Sequence, residues 1–240
     1  MIKVDSLLYK IDQKLNKLST NEHQQIQFED KILALNEAQI KLIKQKVDGI
    51  NGMGMDSFKK RYEDLQILIE QYEDHPLILK LTNAKLNQWT SSLEGLTPTY
   101  MFYVDSYVLA TKGRCKDRII WINKDLMKHG DLQFLLNNEH FKPSFEYQET
   151  FNSISSDEIS IFTDGTFTPS KLYLMYMRYP QYIDAEGYIK FDGTESANVD
   201  CELEEYLEDE LLDLTVQNLA MYTENASAVQ SAQFRIQTNE

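Results

Sequence analysis

The sequence predicts an α+β chain with an N-terminal helical bundle or hairpin, a central antiparallel β region and a C-terminal helix. Three observations predict it: apolar residues recur at helical spacing up to Asp48, β-branched and aromatic runs take over from Thr99, and leucines return at helical spacing from Leu203. The 240 residues are 42% hydrophobic and 26% charged, enough to bury a sizeable core. At about 100–200 residues per domain this length fits two small domains. The expected division is a helical assembly region over 1–98 and a β-rich region over 99–240 that ends in an acidic helix and a tail.

The opening helix follows from Leu8, Ile11, Leu15 and Leu18, spaced 3, 4 and 3. Ser19, Thr20 and Asn21 offer N-caps for a second helix, and Glu22 completes a capping-box pattern with Ser19. That helix is expected to run to about Asp48, with Gly49 as a left-handed terminator. Its apolar residues make two heptad-spaced rows, Ile26/Leu33/Ile40/Val47 and Phe28/Leu35/Leu42. At about 100° per residue, a two-residue offset sets the rows roughly 160° apart, so both sides of the helix require cover. These seven residues form the predicted assembly interface.

Gly49–Gly54 reads GxxGxG after a helix, whereas a dinucleotide-binding turn needs GxGxxG after a strand, so the segment is read as a hinge. A third helix is expected from Ser57 to Glu73 on Phe58, Tyr62, Leu65, Ile69 and Tyr72, ended by His75-Pro76. A short amphipathic segment over Leu79–Leu93 then leads to the turn Glu94-Gly-Leu-Thr-Pro98.

From Thr99 the runs Tyr100–Val104, Tyr107–Ala110, Arg118–Ile122, Glu158–Phe162 and Lys171–Arg178 read as antiparallel strands. Thr111–Arg114 and Thr163-Asp-Gly165 are turn signals, the second with Asp-Gly at a hairpin position. A helical turn is expected around Asp131–Leu136, and one more short strand at Tyr188–Phe191. The last helix is carried by Leu203, Leu207, Leu211 and Leu214, with Glu202, Glu204 and Glu205 at the positive end of its dipole.

The formal net charge is −14, and residues 184–213 hold 12 acids against Lys190. A surface this acidic repels phosphates, which argues against specific nucleic-acid binding there. Glu202, Glu204, Glu205, Glu208, Asp209 and Glu210 are expected to face either solvent or the lumen of an assembly. No run approaches the roughly 18 apolar residues of a membrane span, and the N-terminus lacks the apolar core of a classical export signal, so a soluble chain is expected.

Catalytic and metal signatures are weak. Cys115, His129 and Asp131 supply the residue types of a nucleophilic set, but such sets are defined by geometry and not by presence in a chain. The four histidines, His23, His75, His129 and His140, show no zinc-binding spacing. The Asp200–Glu210 block lacks the alternating oxygens and central glycine of a calcium loop. The expectation is therefore no enzyme activity, no cofactor and no metal.

Phe141-Lys-Pro-Ser-Phe145, then Ile159–Pro180 with its Tyr176-x-Arg178-x-Pro180, then Ile183-Asp-Ala-Glu-Gly-Tyr188 and Asp200-Cys-Glu-Leu203 with its following helix, stand in a specific order. This order, over about residues 118–223, resembles virion structural proteins of crAss-like podoviruses, in particular the ring proteins stacked between portal and tail. The resemblance implies a ring or head–tail connector subunit located in the virion tail or neck and made in the host cytoplasm. Its implied partners are further copies of itself, neighbouring virion proteins such as the portal or other rings, and passing DNA without specific binding. A helix apolar on two sides and 14 tyrosines suit a subunit that expects neighbours. The alternative is an adaptor that binds another virion or host protein without forming a ring.

Overall fold

The computed structural model describes residues 1–18, 26–48, 63–71, 77–114, 117–122, 132–155, 157–190 and 193–222. The architecture is α+β, with helices at both ends and antiparallel sheets between them. The chain forms two compact units, Met1–Ile67 with Pro180–Glu240, and Leu68–Tyr179. The expected boundary at 98/99 is therefore corrected: both chain ends build one helical unit, and the β unit is inserted into it. Entry and exit of the insert lie side by side, because its first strand pairs with its last, Ile69 against Met177.

In the helical unit, α1 spans Val4–Leu18 and α2 spans Phe28–Asp48. The expected capping box at Ser19–Glu22 lies outside the described residues, and Ile26 and Gln27 are not helical, so α2 begins later than its apolar rows suggested. The predicted Ser57–Glu73 helix is also corrected. Its described part is helical at Glu63–Asp64, tightens to a 3₁₀ turn at Gln66–Leu68, and becomes strand β1, Ile69–Gln71. Hydrogen bonding to a waiting strand outcompetes local helical periodicity here.

Leu7, Ile11 and Leu15 of α1 are buried, as are Ile32, Leu35, Ala38, Leu42 and Ile43 of α2. A 3₁₀ turn at Glu205–Leu207 leads into the last helix, Glu208–Tyr222, in which every residue from Leu211 to Gln217 is buried. We number this helix α4, after the short α3 at Leu132–Asn137 in the β unit. α2 and α4 run antiparallel: Lys46 meets Glu210, Lys41 meets Gln217, and the Tyr222 hydroxyl donates to Glu37. Ahead of the last helix, the strap 180–203 is held by backbone bonds between Ile2 and Cys201 at 2.9 Å in both directions. Buried Asn36 adds a clamp, with its Nδ2 donating to the Ile183 carbonyl and its Oδ1 accepting the Ile183 N–H, each at 2.8 Å. The expected strand at Tyr188–Phe191 is reduced, among the described residues, to one isolated bridge between Ile189 and Glu195.

The β unit is a two-sheet sandwich. One sheet orders β1, β10 (Thr168–Arg178), β5 (Tyr100–Thr111), β6 (Arg118–Ile122) and β7 (Glu149–Thr150), with β2 (Leu77–Ile78) also on β10. The other orders β3 (Lys80–Asn83), β4 (Gln88–Ser92), β9 (Glu158–Phe162) and β8 (Asn152–Ser155). Between them lie Val108, Ile122, Leu172, Leu174 and Tyr176 from the first sheet, with Ile159 and Ile161 from the second. Alternation along β5, with Val104, Ser106, Val108 and Ala110 buried, gives that sheet an inner and an outer face.

The Thr163-Asp-Gly165 turn is not a hairpin, since β9 and β10 belong to different sheets; it is an arch between the layers. Gly165 sits at φ +81, and a Cβ there would meet the Asn87 side chain at 3.0 Å. The Leu79–Leu93 segment proves to be a hairpin, β3 and β4 joined at Asn87, itself at φ 47.

Candidate functional site

The predicted interface residues divide into two groups. Leu35 and Leu42 are buried inside the helical unit and cannot meet a partner, which corrects their assignment. Phe28 is exposed and stacks edge-on against Tyr188, 6.0 Å between ring centres. The other row stays outward: Leu33 keeps 47% of its surface exposed, while Ile26, Ile40 and Val47 are half-buried. Flanking them on the same side are exposed Glu29, Asp30, Glu37 and Lys44. α2 is thus covered around most of its circumference and open along one aliphatic stripe, acidic toward its N-terminal half and basic at Lys44.

The acidic block also divides. Glu202 is buried at 5% exposure, and its carboxylate accepts the Gln181 N–H at 3.0 Å, so it faces neither solvent nor a lumen. Glu208 pairs with Lys10 at 2.6 Å and Glu210 with Lys46 at 2.8 Å. Lys14 reaches buried Asp213 at 2.7 Å and Asp209 at 3.9 Å. Glu204, Glu205 and Asp209 are exposed as expected. Exposed Tyr206 lies among them and donates to Asp64 at 2.7 Å. Partial burial, the bond to Asp64 and the charges of Asp64, Glu204 and Glu63 push its phenol well above the usual tyrosine range.

Asp184 closes the start of the strap excursion. Its carboxylate accepts the Tyr188 hydroxyl at 2.6 Å and pairs with Lys190 at 2.7 Å. Burial pushes this carboxyl up, but the bonds from Lys190, Tyr188 and the Ala185 and Ala197 backbone hold it below the usual carboxylate range.

Reading the sequence missed a second apolar surface, the outer face of the larger sheet. Tyr173, Tyr107 and Trp121 are register partners on β10, β5 and β6, with Tyr107 stacked on Tyr173 at 4.7 Å and tilted against Trp121 at 5.7 Å. Two residues along the strands, on the same face, Ile78, Lys171, Leu109 and Ile119 make a parallel row across four strands. Trp121 is 56%, Ile119 42% and Ile78 70% exposed. The signal that could have found this face was available, since outward positions of Ile119, Trp121 and Tyr173 alternate with buried Ile120, Ile122 and Leu172.

No known protein family matches the chain, and no curated protein matches it significantly. The arrangement therefore has to be read from its own chemistry. Cys115, His129 and Asp131 lie outside the described residues. Cys201 is a buried free thiol, pushed up to about 11 by desolvation. Among the described residues no three His, Cys, Asp or Glu side chains group as a metal site, and no helix is long and apolar enough to cross a membrane. What the surface offers is two apolar faces edged with charge.

Proposed function

We propose that the chain is a structural, non-enzymatic subunit of a bacteriophage tail or neck ring, a head–tail connector that assembles by protein–protein contacts and forms part of the conduit for DNA. The observation that carries the reading is the outward Leu33/Ile40/Val47 stripe on a helix already buried on its remaining sides. A helix satisfied by its own unit has no reason to keep a further aliphatic row in water, and contiguous exposed apolar surface marks contact sites. The likeness of residues 118–223 to crAss-like ring proteins supplies the class of assembly, and heterologous contacts between identical subunits close into rings when the rotation closes. Neighbouring rings or the portal are the further partners, and the virion tail or neck is the location.

Electron microscopy and light scattering of the purified protein, with micrographs of virions, test the reading. The expected result is a cyclic particle of many copies in at least one of the two settings. Leu33→Asp should block assembly while leaving the thermal midpoint nearly unchanged, because the residue is exposed in the single chain. A protein strictly monomeric both free and in particles overturns the reading.

A further inference from the structure

The exposed stripe of α2 lies between two neighbours within the helical unit. Asn36 is clamped to Ile183 of the strap at 2.8 Å, and Lys41 meets Gln217 of α4 at 3.3 Å. Asn36 and Lys41 stand about 140° apart around α2 at roughly 100° per residue, and Leu33 and Ile40 fall inside that arc. The stripe is thus the floor of a groove, with the strap on one side and α4 on the other. Tyr222 ends α4 at the edge of this groove, its hydroxyl donating to Glu37. Residues 223–240 lie outside the described part of the chain, and they leave from this edge.

The sequence of that segment fits the chemistry of the groove. Val229 and Ile236 are seven positions apart, as are Leu33 and Ile40, about 10 Å on helices rising 1.5 Å per residue. Arg235 is the only charge between Glu224 and Glu240 and stands next to Ile236, whereas exposed Glu29, Asp30 and Glu37 flank Leu33. Direction decides whose groove it fits. α4 runs along α2 from Lys46 past Lys41 to Glu37, toward the start of α2 at Phe28. A segment carried on along that line comes level with Phe28 at about residue 231, so Phe234 and Ile236 fall beyond the unit's own helix. No glycine or proline in residues 223–240 marks a turn back.

We propose that residues 223–240 of one copy pack into the α2 groove of the next copy, with Val229 and Ile236 over Leu33 and Ile40 and Arg235 toward Glu29, Asp30 and Glu37. Segment and groove are different surfaces, so each contact leaves one of each kind for a further neighbour, as a ring requires. The inference rests on the ring reading and names its contact.

Cysteine cross-linking of the full chain in a Cys115→Ser background tests it, with Cys201 silent because it is buried. Under mild oxidation, a mixture of the Leu33→Cys and Ile236→Cys variants should give covalent dimers, and a chain carrying both changes should give a ladder of oligomers. A disulfide confined within one chain, or dimers formed as readily by Ile236→Cys alone, overturns the proposal. Particles that assemble without the mixed disulfide overturn this contact and leave the ring reading standing, whereas no assembly by any measure takes down both. Ile236→Asp should weaken association by about tenfold or more, because the contact would bury a carboxylate, while the far-UV circular dichroism of the free chain stays as in wild type. Arg235→Glu should weaken it roughly threefold to tenfold at low salt and less at high salt. An association constant unchanged by Ile236→Asp overturns the proposal, and one unchanged by Arg235→Glu at low salt overturns its charge pairing.

Discussion

Replacing Lys14 by Met should destabilise the helical unit far more than the same change at Lys10, although both lysines cap acids of α4. Lys14 Nζ lies 2.7 Å from Asp213, whose side chain is 4% exposed, whereas Lys10 is 42% exposed and its partner Glu208 20%. Removing one member of a buried ion pair costs about 3–5 kcal/mol, because the remaining charge keeps its desolvation penalty. Lys14 is itself 22% exposed, so water can enter after truncation, and we set the expected cost at about 2–3 kcal/mol. For Lys10→Met the surface-pair range of up to about 1 kcal/mol applies. At about 2–4 °C per kcal/mol for a chain of this length, Lys14→Met should lower the thermal midpoint by roughly 4–12 °C. Unfolding is followed by far-UV circular dichroism, weighted toward the helices, and by tryptophan fluorescence, since both Trp89 and Trp121 lie in the β unit. The double variant Lys14→Met with Asp213→Leu should recover most of the loss, because an apolar pair replaces the buried ion pair. Equal costs at Lys10 and Lys14, or no recovery in the double variant, would refute the reasoning.

Gly165→Ala should cost about 1–2 kcal/mol, since the position is at φ +81 and the new Cβ meets Asn87, and a urea midpoint equal to wild type contradicts this. In a Cys115→Ser chain, Cys201 should not react with a thiol reagent at pH 8 until denaturant is added, because burial raises its pKa to about 11; prompt native labelling speaks against it. Asp184 has a folded-state pKa depressed below its unfolded value near 3.9, so its stabilising contribution is present above about pH 4 and lost as pH falls through the lower folded value. The stability of Asp184→Asn should therefore respond less to acid than wild type, and parallel pH profiles would count against the assignment. On the proposed conduit reading, Glu204 and Glu205 changed together to Lys should make DNA stick and slow genome ejection, most of all at low salt; unchanged ejection from particles shown to contain the variant speaks against these acids lying within a screening length of about 8 Å of DNA.

How far the fold could be read depended on whether a signal was local. The spacing of Leu8, Ile11 and Leu15 locates α1, and the β-branched and aromatic runs locate β5, β6, β9 and β10, because β5, β6 and β10 each bury one face and β9 is buried from Ile159 to Phe162. β3 and β4 were not legible as strands: Lys80–Asn83 and Gln88–Ser92 are largely polar, and a neighbouring strand holds them there. Ile69 shows the reverse case, a residue in helical spacing that becomes strand because Met177 stands opposite it. The proposed assembly stripe was half legible. Periodicity finds two rows on α2, but it cannot say that the unit's own packing takes Leu35 and Leu42 and leaves Leu33 outside.

Charge gives the sharpest case of sequence order misleading about space. Along the chain, twelve acids between 184 and 213 stand against a single lysine. In the fold, the lysines they lack arrive from the first 48 residues: Lys10 to Glu208, Lys14 to Asp213 and Lys46 to Glu210. Asp200 accepts the Val4 N–H at 3.0 Å and Glu202 that of Gln181, so these two serve as backbone anchors. The acids of the block therefore have two duties. One set fastens α1, α2 and the strap to α4, with exposed Asp209 at its edge 3.9 Å from Lys14, while Glu204 and Glu205 stay in water beside Tyr206. On the proposed ring reading, a lumen that repels DNA needs charge that is exposed and multiplied by copy number, and Glu204 and Glu205 meet that need without loosening the fold. Reversing Glu208 or Glu210 would break a fastening and change a surface at once, so a slow-ejection phenotype from those positions could not be assigned to electrostatics. Glu204 and Glu205 are the positions at which it can.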